Sequence, residues 1–344
     1  MGQATTGGES RFWAEDLADA VLAGAGVDRD SALRVLRVSD DDTPALLRAT
    51  LRVRERHYGR RVKLCLLRNA RSGLCPEDCH YCSQSSVSKA DIPKYQIDSA
   101  EQLLEGARRA VATGARRYCM VTSGRGPSER DIERFSDAAR RIKSEYPEIE
   151  LCVSAGLMDE EQAISLKNAG VGWVNHNLNT SERHHPEICT THTYADRVRT
   201  VANVKRAGLN TCCGGILGMG ETDEDIVELA FALSDIGVDS LPVNFLHPVA
   251  GTPLGDRDDL TPQKCLRALC LFRLTNPATE IRVAGGRERN LREFQSEALF
   301  AANSIFVEGY LTTPGQAYRD AHAMIARMGF EVEEGFSEQA IGNS

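Results

Sequence analysis

The sequence lacks any long apolar run. No stretch approaches the roughly 20 apolar residues of a membrane-spanning helix, and the first residues, MGQATTGGESRFW, contain no apolar signal-peptide core. An excess of basic residues is also missing, because 41 Lys and Arg face 49 Asp and Glu. The formal net charge of -8 disfavours a nucleic-acid partner. We therefore expect a cytoplasmic protein that binds neither membranes nor nucleic acids.

Cysteine is the residue type that the sequence has in excess, with 11 in 344 residues. An odd count without a secretion signal argues against a disulfide framework. Reduced thiols are either buried as small apolar side chains or used as metal ligands. Their spacing along the chain has to distinguish these two uses.

Short apolar runs alternate with amphipathic helices from about residue 62 onward. Such an alternation predicts a parallel sheet that is covered by helices on both faces. Eight units match the usual size of a closed (β/α)8 barrel, about 250 residues, although periodicity also allows an open doubly wound sheet. The runs are 62–67, 117–122, 149–154, 172–178, 210–217, 239–246, 281–286 and 303–308.

The first 60 residues show helical periodicity instead, for example at Leu17 and Val21. No Pro-, Ser- or Gly-rich linker divides the chain. We therefore predict an α/β fold with a (β/α)8 TIM-type barrel at 61–330. A helical extension at 1–60 should pack on this barrel, and a C-terminal tail should follow at 331–344.

The most informative motif directly follows the first predicted strand. It reads GLCPEDCHYCSQ and places Cys75, Cys79 and Cys82 in Cys-x3-Cys-x2-Cys spacing. A structural zinc site normally has four protein ligands, and a cubane 4Fe–4S cluster usually has four cysteines. Three thiolates therefore leave one iron open, where a substrate can chelate. A zinc site completed by His80 or by a distant histidine is the alternative.

Three further cysteines lie early in predicted strands two, three and five. Because side chains alternate along a strand, Cys119, Cys152 and Cys212 could all point into the barrel. Taken singly, each would be interpreted as a small core residue. Cys65 on the first strand is a rival by position, whereas Cys213 should face away from its neighbour and pack.

Amide side chains form a second pattern, on the fourth predicted strand. Asn175, Asn177 and Asn179 alternate, so they share one face. Each buried amide needs hydrogen-bond partners, and three on one face are therefore unusual for plain packing. This pattern indicates a binding surface.

Two other groups of residues allow more than one interpretation. A loop after strand four has the composition of a zinc site, but its position at the barrel mouth favours a surface role. A basic run near the first strand could dock an acidic electron donor such as a flavodoxin, or could be a solvated helix face. The first group is His184, His185, Cys189 and His192; the second is Arg52, Arg54, Arg56, Arg60, Arg61 and Lys63.

The cysteine loop is the signature of the radical S-adenosylmethionine (SAM) superfamily, and the chain resembles the biotin synthases. The resemblance runs from about Val62 to Thr313. It implies an enzyme that inserts sulfur into dethiobiotin to form biotin. The matching stretches are CPEDCHYCSQ, RYCM, NHNLNTS, GGILGMGET, VNFL, AGGRE, ANSIF and LTTP.

The resemblance also implies two clusters. One is a 4Fe–4S cluster that binds SAM, and the other is a 2Fe–2S cluster proposed as the sulfur donor. The second cluster has an arginine, Arg282, among its implied ligands. A guanidinium stays protonated and is a very poor ligand, so its use suggests a cluster that is built to be taken apart. The implied catalytic and metal-binding residues are Cys75, Cys79 and Cys82 for the first cluster, and Cys119, Cys152, Cys212 and Arg282 for the second.

Binding residues for SAM and dethiobiotin follow from the same resemblance. Relatives often carry aspartate at the position of Asn179, and an amide there can still bond a ribose hydroxyl. For SAM the implied residues are Tyr81 at the adenine, Asn177 and Asn179 at the ribose, and the glycine-rich backbone around Ile216. For dethiobiotin they are Asn175, Asn177 and Asn244 at the ureido ring, and the backbone near Thr312 and Thr313 at the carboxylate.

The family further implies a flavodoxin- or ferredoxin-type electron donor and a homodimer. Three alternatives remain for the activity. A methylornithine synthase or a hydrogenase maturase would keep the cysteine loop but should lack the inner cysteine–arginine set. Lipoyl synthase is disfavoured because no second cysteine triplet lies near the N-terminus, and a zinc-binding interaction protein would not cleave SAM.

Overall fold

The computed structural model describes residues 7–333, with side chains from residue 13 onward. Its parallel strands are hydrogen-bonded in the order β1-β2-β3-β4-β5-β7-β8-β9, and β9 pairs back onto β1. The sheet is therefore a closed barrel, in which β6 pairs with β7 and, through one bridge at Gly215, with Asn179. The strands are β1 Arg61–Arg71, β2 Arg117–Thr122, β3 Glu150–Ser154, β4 Trp173–Asn175, β5 Asn210–Cys212, β6 Gly215–Leu217, β7 Ser240–Phe245, β8 Glu280–Val283, β9 Ser304–Phe306 and β10 Glu331–Val332.

Helices cover the outside of this barrel. Several begin at side-chain caps: Ser99 and Gln102 form a capping box, as do Thr222 and Asp225. The helices are α1 Gly7–Leu22, α2 Arg29–Arg37, α3 Thr43–Tyr58, α4 Ala100–Ala112, α5 Glu129–Glu145, α6 Glu160–Asn168, α7 His185–Ile188, α8 Tyr194–Arg206, α9 Asp223–Ile236, α10 Pro262–Thr275, α11 Arg287–Leu291 and α12 Tyr318–Arg327, with 3-10 turns at Arg292–Gln295 and Glu297–Phe300. Among the described helices, none combines the length and apolarity needed to cross a bilayer.

The predicted (β/α)8 barrel is confirmed, with β5 and β6 together forming its fifth stave. That stave is interrupted at Gly214, whose backbone lies against Pro242: a Cβ atom at Gly214 would be 2.0 Å from the Pro242 carbonyl oxygen. The fourth strand is shorter than predicted and ends at Asn175. Beyond it, Asn179 has a φ of 74°, a left-handed conformation that asparagine tolerates better than most residues.

The N-terminal helices lie against the barrel's own helices. α3 contacts α1 and α10, and α2 contacts α9 and α10. At the other end of the chain, Glu331 and Val332 pair with Arg61 and Val62, so the predicted tail begins with a short strand. Residues 1–6 and 334–344 of the predicted extension and tail lie outside the described residues, and the domain boundaries stay a prediction.

The basic run is not exposed along its whole length. Arg54 is buried and donates hydrogen bonds to the carbonyls of Gly59 and Arg61. Lys63 binds Glu150 at 2.8 Å. The run ends in the first residues of β1, whereas the cysteine loop follows the far end of that strand, and 11 residues at about 3.3 Å each place the two ends roughly 35 Å apart. The interpretation of this run as an electron-donor site is therefore wrong for Arg54 and Lys63, and for the exposed arginines it stays a prediction.

Candidate active site

A cavity of about 390 Å³ lies at the carboxyl ends of the barrel strands. This is the end at which barrel enzymes carry their active sites, and the volume suits a small-molecule site. All the site residues that the sequence predicts line the cavity except Cys152, which lies behind Cys119 and Cys212. The cysteine loop is at the mouth of the cavity, and the strand cysteines are deeper.

The cysteine loop is folded back onto the end of β1. Gly73 and Leu74 have φ values of 69° and 57°, and this left-handed pair turns the chain out of the strand. The turn is fixed because Gln84 Oε1 accepts a hydrogen bond from the Gly73 amide at 3.0 Å and Ser123 donates one to the Gly73 carbonyl at 2.6 Å. All three loop cysteines are free thiols facing the cavity. This donor set fits a cubane with one iron left open.

Two acidic residues between the cysteines bind the loop that follows α7. The Asp78 carboxylate accepts hydrogen bonds from the amides of Thr190, at 2.9 Å, and Thr191, at 3.2 Å. The Glu77 carboxylate accepts from the Thr191 hydroxyl at 2.7 Å and from Arg125 Nη1 at 3.1 Å. The cysteine loop is therefore held in place by a second loop as well as by its own turn.

A surface role was predicted for the group around α7 and this second loop, namely His184, His185, Cys189 and His192. The prediction of a surface role is wrong. His185, Cys189 and His192 are 2%, 2% and 7% exposed, respectively. Cys189 Sγ lies 3.7 Å from Cys79 Sγ. Only His184 of the group is partly exposed among the described residues. The loop lies inward because Asp78 and Glu77 hold it against the cysteine loop.

The three strand cysteines come together inside the barrel, as predicted. Cys119 and Cys152 are directly in register on β2 and β3, and Cys212 completes a buried cluster with them. Cys213 instead packs in the main apolar core. Cys65 is not part of this contact cluster; its Sγ atom lies 3.5 Å from Ser304 Oγ, and its burial raises its pKa while the nearby charge of Arg282 lowers it.

Arg282 lies beside the inner thiols, with Nη1 at 3.4 Å from Cys212 Sγ. Its guanidinium is oriented by Ser304 at 3.1 Å, by Ser240 at 3.3 Å, and by Glu280. Burial alone would raise the pKa of Glu280, but the charges of Arg117, Arg282 and Lys63 hold that pKa well below its usual value. The arginine is therefore fixed by a charged partner.

The environment of Cys212 favours the thiolate. A hydrogen bond from the Cys152 thiol lowers the pKa of Cys212, burial opposes this, and the charges of Arg282 and Arg117 lower the pKa further. Thiolates are the form in which cysteines bind metals. Apolar side chains enclose the trio, and the donor set fits a small iron–sulfur cluster. The enclosing residues are Leu67, Val121, Trp173 and Phe306.

The amide residues lie between the two thiol sets. Asn175 donates hydrogen bonds to Asn177 Oδ1 and to the Cys212 carbonyl, both at 3.1 Å. Asn244 donates to the Gly215 carbonyl at 3.1 Å and accepts from the Gly285 amide at 3.0 Å. These amides link neighbouring staves and face the cavity, as the alternating pattern predicted.

Tyr81 and Asn179 form a separate contact at the cavity mouth. Arg197 and the Tyr81 hydroxyl are donors here, so Asn179 Oδ1 faces them, at 3.2 Å and 2.5 Å. Tyr81 also packs in a small apolar cluster with Ile216. On the same loop, the Ser83 hydroxyl is hydrogen-bonded to the Thr312 hydroxyl at 2.8 Å, and Thr313 lines the cavity.

Sequence reasoning missed three residues of this site. Arg197 is buried and donates to the Asn177 carbonyl at 2.9 Å. Glu221 accepts from the amides of Gly218 and Met219, both at 2.7 Å, and so fixes the glycine-rich segment. His176 Nε2 is buried without a hydrogen-bond partner among the described residues. Of these three, only Glu221 could have been found from the sequence, because a carboxylate directly after a glycine-rich run can accept hydrogen bonds from the backbone amides of that run.

Comparison with known proteins agrees with this geometry. Residues 71–233 match the model of the radical SAM superfamily, and residues 242–331 match that of the biotin and thiamin synthesis associated domain. The chain is 50% identical to the biotin synthase of Rhodopirellula baltica over 94% of its own length and 90% of that protein. It is 50% identical to the biotin synthase of Bacillus subtilis strain 168, over 93% of this chain and 95% of the relative.

The chain belongs to the biotin synthase family. Like the other radical SAM proteins, members of this family are enzymes that use SAM and a 4Fe–4S cluster.

Solved structures show how widely the fold is shared. Methylornithine synthase aligns with a TM-score of 0.81 and 20% identity, covering 92% of this chain and 97% of that one. The FeFe-hydrogenase maturase from Carboxydothermus hydrogenoformans aligns with a TM-score of 0.78 and 15% identity, covering 96% of this chain and 86% of that one. At these identities the likeness concerns the barrel alone.

Proposed function

We propose that this member of the biotin synthase family inserts sulfur into dethiobiotin to form biotin, using SAM. One observation carries the proposal: the three loop thiols line a cavity whose deeper wall is formed by Cys119 and Cys212 with Cys152 behind them, and amide side chains line the same cavity. A radical SAM enzyme without sulfur insertion needs only the set at the mouth. The inner set has a position from which it could donate sulfur to a substrate held by the amides.

At the mouth, the thiolates of Cys75, Cys79 and Cys82 would hold the 4Fe–4S cluster. When bound, the cluster and SAM together supply a carbon-centred radical that removes hydrogen from the substrate. Tyr81 and Ile216 offer an apolar surface for the adenine of SAM. The amides of Asn177 and Asn179 are positioned for the ribose hydroxyls, since both line the cavity next to that surface.

Dethiobiotin would bind between the two thiol sets. Asn175, Asn177 and Asn244 carry both donors and acceptors, as the two N–H groups and the carbonyl of a ureido ring require. Thr312 and Thr313 lie at the outer rim of the same cavity, where their backbone would meet the substrate carboxylate. The substrate is thereby oriented along the axis of the barrel, which lowers the entropy cost of reaction.

In the barrel interior, Cys119, Cys152, Cys212 and Arg282 would hold a 2Fe–2S cluster that supplies the sulfur. The surrounding apolar side chains exclude water, so that a reactive substrate carbon meets sulfur and little else. Arg282 is a weak ligand, and this suits a cluster that gives up an atom.

Partners and setting complete the proposal. A flavodoxin- or ferredoxin-type donor would supply the electron, and it should approach the barrel mouth because the cysteine loop is there. The protein would be a homodimer in the cytoplasm. Its domains would be a helical extension at 1–60, a barrel at 61–330 and a tail at 331–344.

Anaerobic reconstitution with iron and sulfide, followed by incubation with dethiobiotin, SAM and a reductant, tests the proposal. We expect biotin and 5′-deoxyadenosine, both measured by mass spectrometry. Formation of 5′-deoxyadenosine without biotin would assign the chain to another radical SAM reaction.

The Cys152→Ser variant separates the two thiol sets in the same assay. Cys152 is fully buried behind the cavity and does not touch the mouth. We expect this variant to cleave SAM but to form no biotin. Retention of biotin formation at the wild-type level would contradict the role of the inner set.

A further inference from the structure

A second group of metal-ligating side chains lies beside the cysteine loop. The ligand atoms of Cys79, Cys189 and His192 all lie within 4.8 Å of one another, and all three side chains are buried. Cys79 belongs to the loop after β1, whereas Cys189 and His192 belong to the loop after α7. We infer that the cluster-free protein binds one thiophilic divalent ion, zinc or ferrous iron, through these three side chains.

The distances suit a tetrahedral ion. With metal–sulfur bonds of about 2.3 Å, two thiolates of a tetrahedral site are about 3.8 Å apart, and Sγ of Cys79 and Sγ of Cys189 are 3.7 Å apart. With a metal–nitrogen bond of about 2.0–2.1 Å, sulfur and nitrogen are about 3.6 Å apart. His192 Nε2 lies 3.7 Å from Cys189 Sγ, and Nδ1 lies 3.4 Å from the same sulfur. Two of the three ligand pairs therefore already have tetrahedral separations, and all three ligand atoms lie within 4.8 Å of one another.

The orientation of His192 also favours metal binding. Its Nδ1 atom is hydrogen-bonded to the Glu77 carboxylate, which leaves Nε2 as the ligand atom. A carboxylate behind a metal-binding histidine fixes the ring and raises its basicity. Glu77 is in turn held by Thr191 at 2.7 Å and Arg125 at 3.1 Å. The histidine ligand thus has the supporting hydrogen bonds that a built metal site requires.

The fourth coordination position is accessible from the active cavity. Both Cys79 and His192 line this cavity, whereas Cys189 lies behind them. Three protein ligands and one water is a common arrangement for zinc. The site is therefore open to exchange of the ion.

Sharing of Cys79 makes this site and the proposed 4Fe–4S cluster mutually exclusive. This consequence, unlike the metal binding itself, rests on the proposed function. An ion held by Cys79, Cys189 and His192 occupies a thiolate that the cubane needs. Zinc-loaded protein should therefore rebuild the cubane more slowly than metal-free protein.

The test uses the full chain after removal of iron and sulfide, in a Cys75→Ser/Cys82→Ser background. That background removes the other two loop thiols and leaves the inferred site intact. Titration with zinc, followed by metal analysis, should give one more bound equivalent than in the same protein with Cys189→Ser added. With cobalt in place of zinc, the absorption from thiolate-to-metal charge transfer should be lower in the protein with Cys189→Ser added than in the background protein. Any metal bound by the inner cysteines is common to both proteins and cancels in the difference.

His192→Gln makes the same comparison without removing a thiol. We expect its affinity for zinc to fall at least tenfold, whereas Cys265→Ser, a buried change on α10, should leave the affinity unchanged. Circular dichroism checks that each variant is folded. Equal zinc stoichiometry with and without Cys189, or unchanged affinity in His192→Gln, would overturn the inference.

The competition is measured by iron and sulfide content after reconstitution of zinc-loaded protein. Wild type should rebuild the cubane several-fold more slowly than Cys189→Ser, and equal rates would show that the ion does not occupy Cys79. None of these measurements involves biotin formation, so failure of the inferred site and failure of the proposed function are distinguishable.

Discussion

Arg117 and Glu280 form a bidentate ion pair across the amino end of the barrel, with N–O distances of 2.9 Å and 3.0 Å. Both are the first residues of their strands, β2 and β8, and Arg117 is fully buried. Lys63 lies 3.3 Å from the same carboxylate, and Arg282 binds it too. Glu280 is thus the common partner of three cations beneath the inner thiols.

Loss of the Glu280 charge should therefore destabilise the barrel strongly. In Glu280→Gln, Lys63 and Arg117 keep Glu150 as a carboxylate partner. Arg282 loses its ion pair with Glu280. Breaking a buried ion pair by removing one partner costs about 3–5 kcal/mol. Urea unfolding of the anaerobic protein measures this change in the free energy of unfolding.

Glu160→Gln is the matched control. Glu160 pairs with Arg206 at 2.7 Å on the surface, where both side chains are about half exposed. Exposed pairs contribute about 0–1 kcal/mol. An effect of Glu280→Gln no larger than that of this control would contradict the role assigned to the buried network.

Cys65 and Cys152 should differ in their effect on the inner cluster. Cys65 is outside the contact cluster of the three inner thiols and lies against Ser304, so Cys65→Ser should retain the 2Fe–2S absorption after reconstitution. Cys152→Ser removes one of the three thiols and should lose most of that absorption. Iron and sulfide analysis of both variants checks the difference. Loss of the 2Fe–2S cluster in Cys65→Ser would make Cys65 a ligand.

Tyr81→Phe tests the contact between Tyr81 and Asn179. The substitution removes the hydroxyl that donates to Asn179 Oδ1 at 2.5 Å and leaves the aromatic ring in place. A hydrogen bond of this kind contributes about 1 kcal/mol to stability, so we expect the free energy of unfolding to fall by about that amount. SAM binding should weaken several-fold because Asn179 is no longer oriented by the hydroxyl. Equilibrium dialysis of the cluster-loaded protein measures the affinity. Tyr146→Phe, at the end of α5 away from the cavity, is the control and should bind SAM as wild type does.

The barrel was predictable because its signal is local. Each stave is a short apolar run next to an amphipathic helix with its own cap, as at Ser99 and Thr222. The meeting of Cys119, Cys152 and Cys212 was also predictable in outline, since strand alternation limits each thiol to two directions. Their contact depended on register, and the periodicity of the sequence does not define register.

The loop after α7 could not be predicted in this way. Cys189 and His192 become buried only because Glu77 and Asp78, more than 100 residues earlier in the chain, bind Thr190 and Thr191. Such a contact between two irregular loops has no periodic pattern in the sequence. The same holds for Arg197, whose partner is a backbone carbonyl at Asn177. The parts of the site that the sequence did not predict therefore depend mainly on contacts between residues far apart in the chain.

Gly214→Ala tests whether the interruption of the fifth stave is required by packing. A Cβ atom there would lie 2.0 Å from the Pro242 carbonyl oxygen, and this backbone atom can move only if β7 moves with it. Overpacking of this kind costs about 1–3 kcal/mol. The shift should also disturb the hydrogen bond from the Gly214 amide to Asn177 Oδ1. We therefore expect lower stability in urea together with weaker SAM binding.

Gly172→Ala is the control, because a Cβ atom at Gly172 meets nothing within 4 Å and its φ is not in the left-handed region. Where the backbone tolerates it, this exchange is neutral or stabilising by up to about 1 kcal/mol through the unfolded state. If Gly214→Ala were as stable as Gly172→Ala and bound SAM equally well, the break between β5 and β6 would not depend on the absence of a side chain. If Gly214→Ala is less stable and binds SAM more weakly than Gly172→Ala, close packing against β7 is one reason why position 214 requires glycine.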